Sequence, residues 1–191
     1  VYLPTPKTLA DLDACVEHRK LWAALFFDGD LESSNQVLWT AERLQTCLDN
    51  DVYLGWGFTR GLGSSLPRHL VLVDPYATYL YAHYVDKGPR DDTRRAALPD
   101  PAHAYYYARQ VDEGPRTDTR QAVLASPRHA YLYARDVDKG PRDDTRQAAL
   151  GDPAHACWYA LDVDRGPRTD TRQAVSADLT YATIYAQHVD N

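Results

Sequence analysis

The chain has 191 residues and a net charge of −6, from 21 Lys/Arg against 27 Asp/Glu. Neither residues 1–74 (6 basic, 10 acidic) nor residues 75–191 (15 basic, 17 acidic) have the basic excess needed to neutralise a phosphate backbone, so nucleic acid is not an expected partner. Cys15, Cys47 and Cys157 form no CxxC or Cys/His cluster, which argues against a disulfide framework or a zinc site and points to a reducing, cytoplasmic compartment; no apolar run approaches the ~20 residues of a membrane span, and the start does not read as a signal peptide.

In chain order, TLADLDACVEHRKLWAALFF has helical spacing from Leu9 to Leu25, with Thr8 as its cap and Asp11 and Asp13 favourable near its start. FDGDLES offers Asp28, Asp30 and Glu32, like half a calcium loop. It lacks the glycine at the sixth position and the closing glutamate, so Asp30 reads instead as the cap of a second helix over DLESSNQVLWTAERLQTCL. VYLGWGFTRG contains Gly55-x-Gly57, near a dinucleotide fingerprint. Its third glycine comes one place late and Pro67 leaves little helix after it, so these read as loop glycines. Ser64, Ser65 and His69 lack a third member for a hydrolase triad. Residues 1–74 are expected to form a helical cap that seals the first of a set of repeats.

The repeats have a period of 26. Gly-Pro-Arg recurs at 88, 114, 140 and 166, Tyr-Ala at 81, 107, 133, 159 and 185, and Val-Asp at 85, 111, 137, 163 and 189. The units are 75–100, 101–126, 127–152, 153–178 and a half unit, 179–191. In the third unit Ser126 caps a first helix (helix A, about 127–139) with Pro127 at its first position. Gly140 is expected to take the left-handed cap conformation, and Pro141 to stop the helix. A short helix B follows near 144–151, its cap drawn from the column Asp91, Thr117, Asp143, Thr169. Two such helices cannot bury their apolar faces alone, and stacked copies can. The expected fold is therefore all-α: an α-solenoid of four and a half 26-residue helix-turn-helix repeats with an N-terminal helical cap. Arg68 falls in the Arg94/120/146/172 column and Ser65 in the cap column, which makes 65–72 a worn helix B.

Units such as DPAHAYYYARQVDEGPR and SPRHAYLYARDVDKGPR resemble the Tyr-Ala-rich tandem helical-hairpin repeats of uncharacterised phage and bacterial proteins. The resemblance covers 75–191. It implies the hairpin fold and carries no activity with it. Gly-Pro-Arg and Asp-Thr-Arg stand here where that family has Gly-Arg-Trp and acidic residues.

Comparing copies sorts the faces. The Tyr, Ala and Val columns, with Ala104, Ala130, Ala156 and Ala182, form one helical stripe and are the expected core. The residue before each invariant Tyr is large and apolar: Leu80, Tyr106, Leu132, Trp158, Ile184. It points away from that stripe into charged surroundings and is the candidate partner-binding strip. The alternative is internal burial, under the N-terminal segment or by curvature of the stack.

His103, His129 and His155 share a column too widely spaced for one metal, and a contact with a Tyr or with the cap is expected. The expected positive helix start keeps them neutral. Arg90, Arg116, Arg142 and Arg168, with Asp92, Asp118, Asp144 and Asp170, form a candidate polar ladder for ligand capture, or a network tying one joint to the next. No catalytic residue, metal or cofactor is expected, because near-equal copies do not make a singular constellation. The reading is a non-enzymatic scaffold that binds a protein partner or a second copy of itself. The alternatives are a small-ligand or enzymatic module around Gly55–Ser65 and a phage-type inhibitor or decoy.

Overall fold

A computed structural model describes residues 2–11, 14, 16–33, 35–50 and 54–190. Asp13, Cys15 and the side chain of Ser65, singled out above, lie outside the described residues. The protein is all-helical, with one isolated bridge, Tyr2 to Leu38, among the described residues. Neighbouring helices pair repeatedly, as in an all-α helical repeat. The chain falls into two compact units, residues 1–96 and 97–191.

The first unit starts with α1 (Pro6–Asp11), α2 (Val16–Phe26) and α3 (Ala41–Asp49). The single helix expected from Leu9 to Leu25 is two, and the cap is Thr5 rather than Thr8: the Thr5 hydroxyl accepts from the Thr8 amide at 3.2 Å. α1 closes with a wide turn in which the Ala14 amide reaches the Leu9 carbonyl at 2.9 Å. Trp22 is wholly buried. Its indole donates to the Pro4 carbonyl at 3.0 Å, and its ring meets Phe26 and Trp39 edge-on.

The second helix does not start at Asp30. The Asp30 carboxylate accepts from the Glu32 amide at 2.9 Å, and the Ser33 hydroxyl from the Asn35 amide at 3.3 Å. Short polar side chains that bond their own backbone hold this segment in turns. The helix begins only at α3, capped by Thr40.

Gly55 and Gly57 lie inside a helix, α4 (Leu54–Thr59), and not in a loop. A short 3-10 turn follows at Leu62–Ser65. A Cβ on Gly63 would sit 2.2 Å from the ring of Phe58, so close packing requires that glycine. These glycines do not form a phosphate cradle. α5 (Arg68–Val71) is the worn helix B. α6 (Pro75–Tyr81), which widens into a π turn over Ala82–Asp86, and α7 (Asp91–Ala97) make the first full repeat.

In the second unit the A helices are α8 (Pro101–Gln110), α10 (Pro127–Tyr133), α12 (Pro153–Trp158) and α14 (Leu179–His188). The B helices are α9 (Thr117–Val123), α11 (Asp143–Ala149) and α13 (Thr169–Val175). α8, α10, α12 and α14 pack in sequence, and each B helix fills the space beside its own A helix. Ala104, Ala108, Ala130, Ala134, Ala156 and Ala160 are fully buried, as are Tyr107, Tyr133 and Tyr159. Small alanines let the A helices approach closely, and the tyrosines bridge the remaining gap.

Two features of the joint differ from expectation. The left-handed residue is not the glycine but the one before it: Lys87, Glu113, Lys139 and Arg165, at φ 52° to 56°. A residue before proline is pushed into extended backbone, so the left-handed turn falls one place earlier. Helix A therefore ends in a widened turn, with the Lys139 and Gly140 amides both on the Ala134 carbonyl.

The expected cap column Thr117, Asp143, Thr169 is the first helical residue, and Arg116, Arg142 and Arg168 take the cap position without a side-chain bond. Acidic side chains one place further in, Asp118, Asp144 and Asp170, accept instead from the Thr119, Thr145 and Thr171 amides at 2.8 Å.

Candidate functional site

The conserved letters of the repeat hold the joints together. The Tyr133, Tyr159 and Tyr185 hydroxyls each reach back to the preceding joint. Tyr159 accepts from the Arg142 amide at 3.0 Å, donates to its carbonyl at 3.1 Å, and meets the Thr145 hydroxyl at 3.0 Å. Thr93, Thr119, Thr145 and Thr171 are fully buried. Reading the sequence missed them as core, although a threonine that never varies between copies was the available signal.

The Arg column of helix B meets the Asp that closes the next helix A. Arg120 holds Asp138 at 2.5 Å, and Arg146 holds Asp164 at 3.5 Å and Asp170 at 3.1 Å. Arg68 does the same in the first unit, at 2.8 Å to Asp86 and 2.7 Å to Asp92. Its guanidinium holds the Asp92 carboxyl down at about 2.

The ladder arginines are half-exposed or more, yet each stands near an aspartate. Arg90 pairs with Asp86 at 3.2 Å and Arg168 with Asp164 at 3.3 Å; Arg116 stands 4.0 Å from Asp112 and Arg142 3.8 Å from Asp144. Asp164 has 1% of its side chain exposed, and burial raises its pKa against the pull of Arg146 and Arg168. Of these pairs, only Arg142 and Asp144 are both members of the ladder; Arg90, Arg116 and Arg168 meet the aspartates that close helix A instead.

The histidines turn onto their own caps. His103 Nδ1 lies 3.2 Å from Asp100, His129 Nδ1 3.0 Å from Ser126 Oγ, and His155 Nδ1 2.7 Å from Asp152. Burial, with Arg128 next to it, lowers the pKa of His129. Burial also raises the thiols of Cys47, to about 12, and Cys157, which makes these two poor nucleophiles.

A second relay crosses between A helices. Tyr105 donates to Asp136 at 2.6 Å and accepts from Arg109 at 2.8 Å; one copy on, Tyr131 donates to Asp162 and accepts from Arg135 at 2.8 Å. Burial and the adjacent carboxylate push both phenols up to about 12. At the next copy the relay changes: Cys157 stands in the tyrosine column, Leu161 in the arginine column and His188 in the aspartate column.

Of the apolar strip, Leu80 is buried. Leu132 and Ile184 are half-buried against the core of the second unit, while Tyr106 (38%) and Trp158 (39%) are exposed.

Trp158 lines an open groove of about 750 Å³. Its ring lies 5.1 Å from His155, 6.1 Å from Tyr131 and 6.2 Å from Tyr181. The Arg135 guanidinium covers the Tyr131 ring at 5.1 Å, and Arg128 stands at the groove's edge. The groove forms where the copies stop matching. Tyr181 replaces the histidine of its column, Trp158 is the largest residue of the strip, and Arg128 stands where the adjacent copies have Ala102 and Ala154.

Among the described residues no group of three His, Cys, Asp or Glu can hold a metal, and no helix is long and apolar enough to cross a membrane. No family model, no curated protein and no solved structure matches the chain.

Proposed function

We propose that the chain is a non-enzymatic protein-binding scaffold whose contact surface centres on Trp158. One observation carries this reading: a tryptophan braced by three aromatic neighbours yet 39% exposed, in a groove of about 750 Å³. Rigid, partly exposed aromatics in a shaped depression are the usual anchors of protein interfaces. Tyr106 extends the same helix-A face. The titratable groups in the groove favour binding over catalysis, because Asp152 is tied to His155 and Asp162 to Tyr131.

Immobilised wild-type protein, Trp158→Asp and Tyr106→Asp are compared in pull-downs from a lysate of cells that carry it, with circular dichroism as the check on folding. The reading expects named partners retained by wild type and lost by folded Trp158→Asp. Partners retained equally by both would overturn it.

A further inference from the structure

The groove has a charge pattern that identifies its occupant. Three cations rim it and its continuation: Arg128 at one end, Lys139 and Arg165 at the other. The continuation is a second depression of about 340 Å³ that shares Arg135 and Asp162 with the first. Arg128, Lys139 and Arg165 have no ion-pair partner among the described residues, whereas nearly every arginine of the joints has one.

The acids in the same place are committed. Asp152 caps α12 and holds His155, and Asp162 takes the Tyr131 proton bond. The groove therefore has spare positive charge and an aromatic lining, on a chain whose net charge is −6.

The neighbouring copy lacks this pattern. Ala102 stands in the Arg128 column and Glu113 in the Lys139 column. Only between the third and fourth copies do the unpaired cations and Trp158 coincide.

We infer that this groove binds an acidic peptide segment with a central apolar anchor. This rests on the protein-binding reading above and names the class of partner. The anchor packs on Trp158 and Tyr181, one carboxylate pairs with Arg128, and others pair with Lys139 and Arg165. From Arg128 to Lys139 is about 16 Å along a helix at about 1.5 Å per residue. About five residues of extended chain span that distance.

A nucleic acid would also meet aromatic rings and cations. The cations stand in two separated groups, Arg128 and Lys139 with Arg165, which suits carboxylates on either side of an apolar anchor and not an unbroken run of phosphates.

The test uses the full chain and three dye-labelled probes: the peptide Glu-Asp-Glu-Leu-Phe-Gly-Asp-Glu-Glu, the same peptide with every acid replaced by Lys, and a ten-residue oligothymidine. Fluorescence anisotropy at low salt is expected to show the acidic peptide binding at least ~10-fold tighter than either other probe, and weakening as salt rises. The double variant Arg128→Glu/Lys139→Glu, both positions being exposed, is expected to reverse the peptide preference, and Trp158→Ala to weaken both peptides. No binding by the acidic peptide, equal binding of both peptides, or tighter binding of the oligonucleotide each overturns the inference. If the acidic peptide fails while Trp158→Asp still loses its pull-down partners, only the partner class falls. If the pull-down is unchanged by Trp158→Asp, the reading beneath it falls as well.

Discussion

The Tyr159 hydroxyl bonds both backbone groups of Arg142, its amide at 3.0 Å and its carbonyl at 3.1 Å, seventeen residues back along the chain. One buried oxygen thus closes the cap of helix α11 from the next repeat. Tyr159→Phe leaves the Arg142 amide and the Thr145 hydroxyl short of a partner and is expected to lower stability by about 1–3 kcal/mol. Urea unfolding measures it. A double-mutant cycle with Thr145→Val is expected to show a coupling of at least about 0.5 kcal/mol, and additive effects would mean the two hydroxyls act separately.

Arg68 holds two carboxylates, Asp86 and Asp92, from outside the regular repeats. Asp92 is depressed to about 2 by Arg68 against the opposing effect of its partial burial. A depressed carboxyl contributes stability that is present above its unfolded pKa and lost as pH falls through the folded one. The Asp92 contribution therefore disappears between about pH 4 and 2. Arg68→Ala is expected to return Asp92 toward its ordinary titration, read by carbon-detected NMR. An unchanged Asp92 would show that the Thr93 amide alone depresses it.

Glu113 is exposed and held at φ 54°. A left-handed conformation costs a non-glycine residue about 1 kcal/mol. Glu113→Gly is expected to raise the urea midpoint slightly, by up to about 0.5 kcal/mol of stability once the looser unfolded chain is included. Gly114→Ala should leave it nearly unchanged, since a Cβ there meets nothing within 4 Å.

Tyr105 and Tyr131 are raised to about 12, first by burial and then by Asp136 and Asp162. A raised folded pKa means stability fully present below the unfolded value near 10 and lost as pH rises toward 12. Ultraviolet titration is expected to show these two phenols ionising late, together with base-induced loosening of the relay. Tyr131→Phe should remove one late-titrating group and shift the onset of base unfolding upward.

The 26-residue period made helix A, helix B and the invariant core readable, because copies within one chain show which positions resist change. Even Arg68 could be assigned, since its register matched the column although its surroundings did not. The N-terminal helices were less readable. Periodicity across 31–48 favoured one helix, and the bonds from the Asp30 and Ser33 side chains to the Glu32 and Asn35 amides that break it are local competition that a spacing rule does not weigh. The joint was misassigned by one residue, because Pro141 acts on the residue before it as well as on the helix. The groove was half legible. Trp158 stood out as unequal to its copies, but the cations beside it come from 128, 139 and 165, which only packing brings together.

Each tyrosine finds its joint at a fixed offset of seventeen, and the residues at that joint barely vary. Any copy can therefore follow any other. Excising or inserting a whole 26-residue block leaves every such bond with a partner in register, whereas adding or removing one residue puts the bond that spans it out of register. Length in this chain is a dial with 26-residue clicks, and the letter-for-letter identity of 114–123 and 166–175 is the mark such a dial leaves when it is turned.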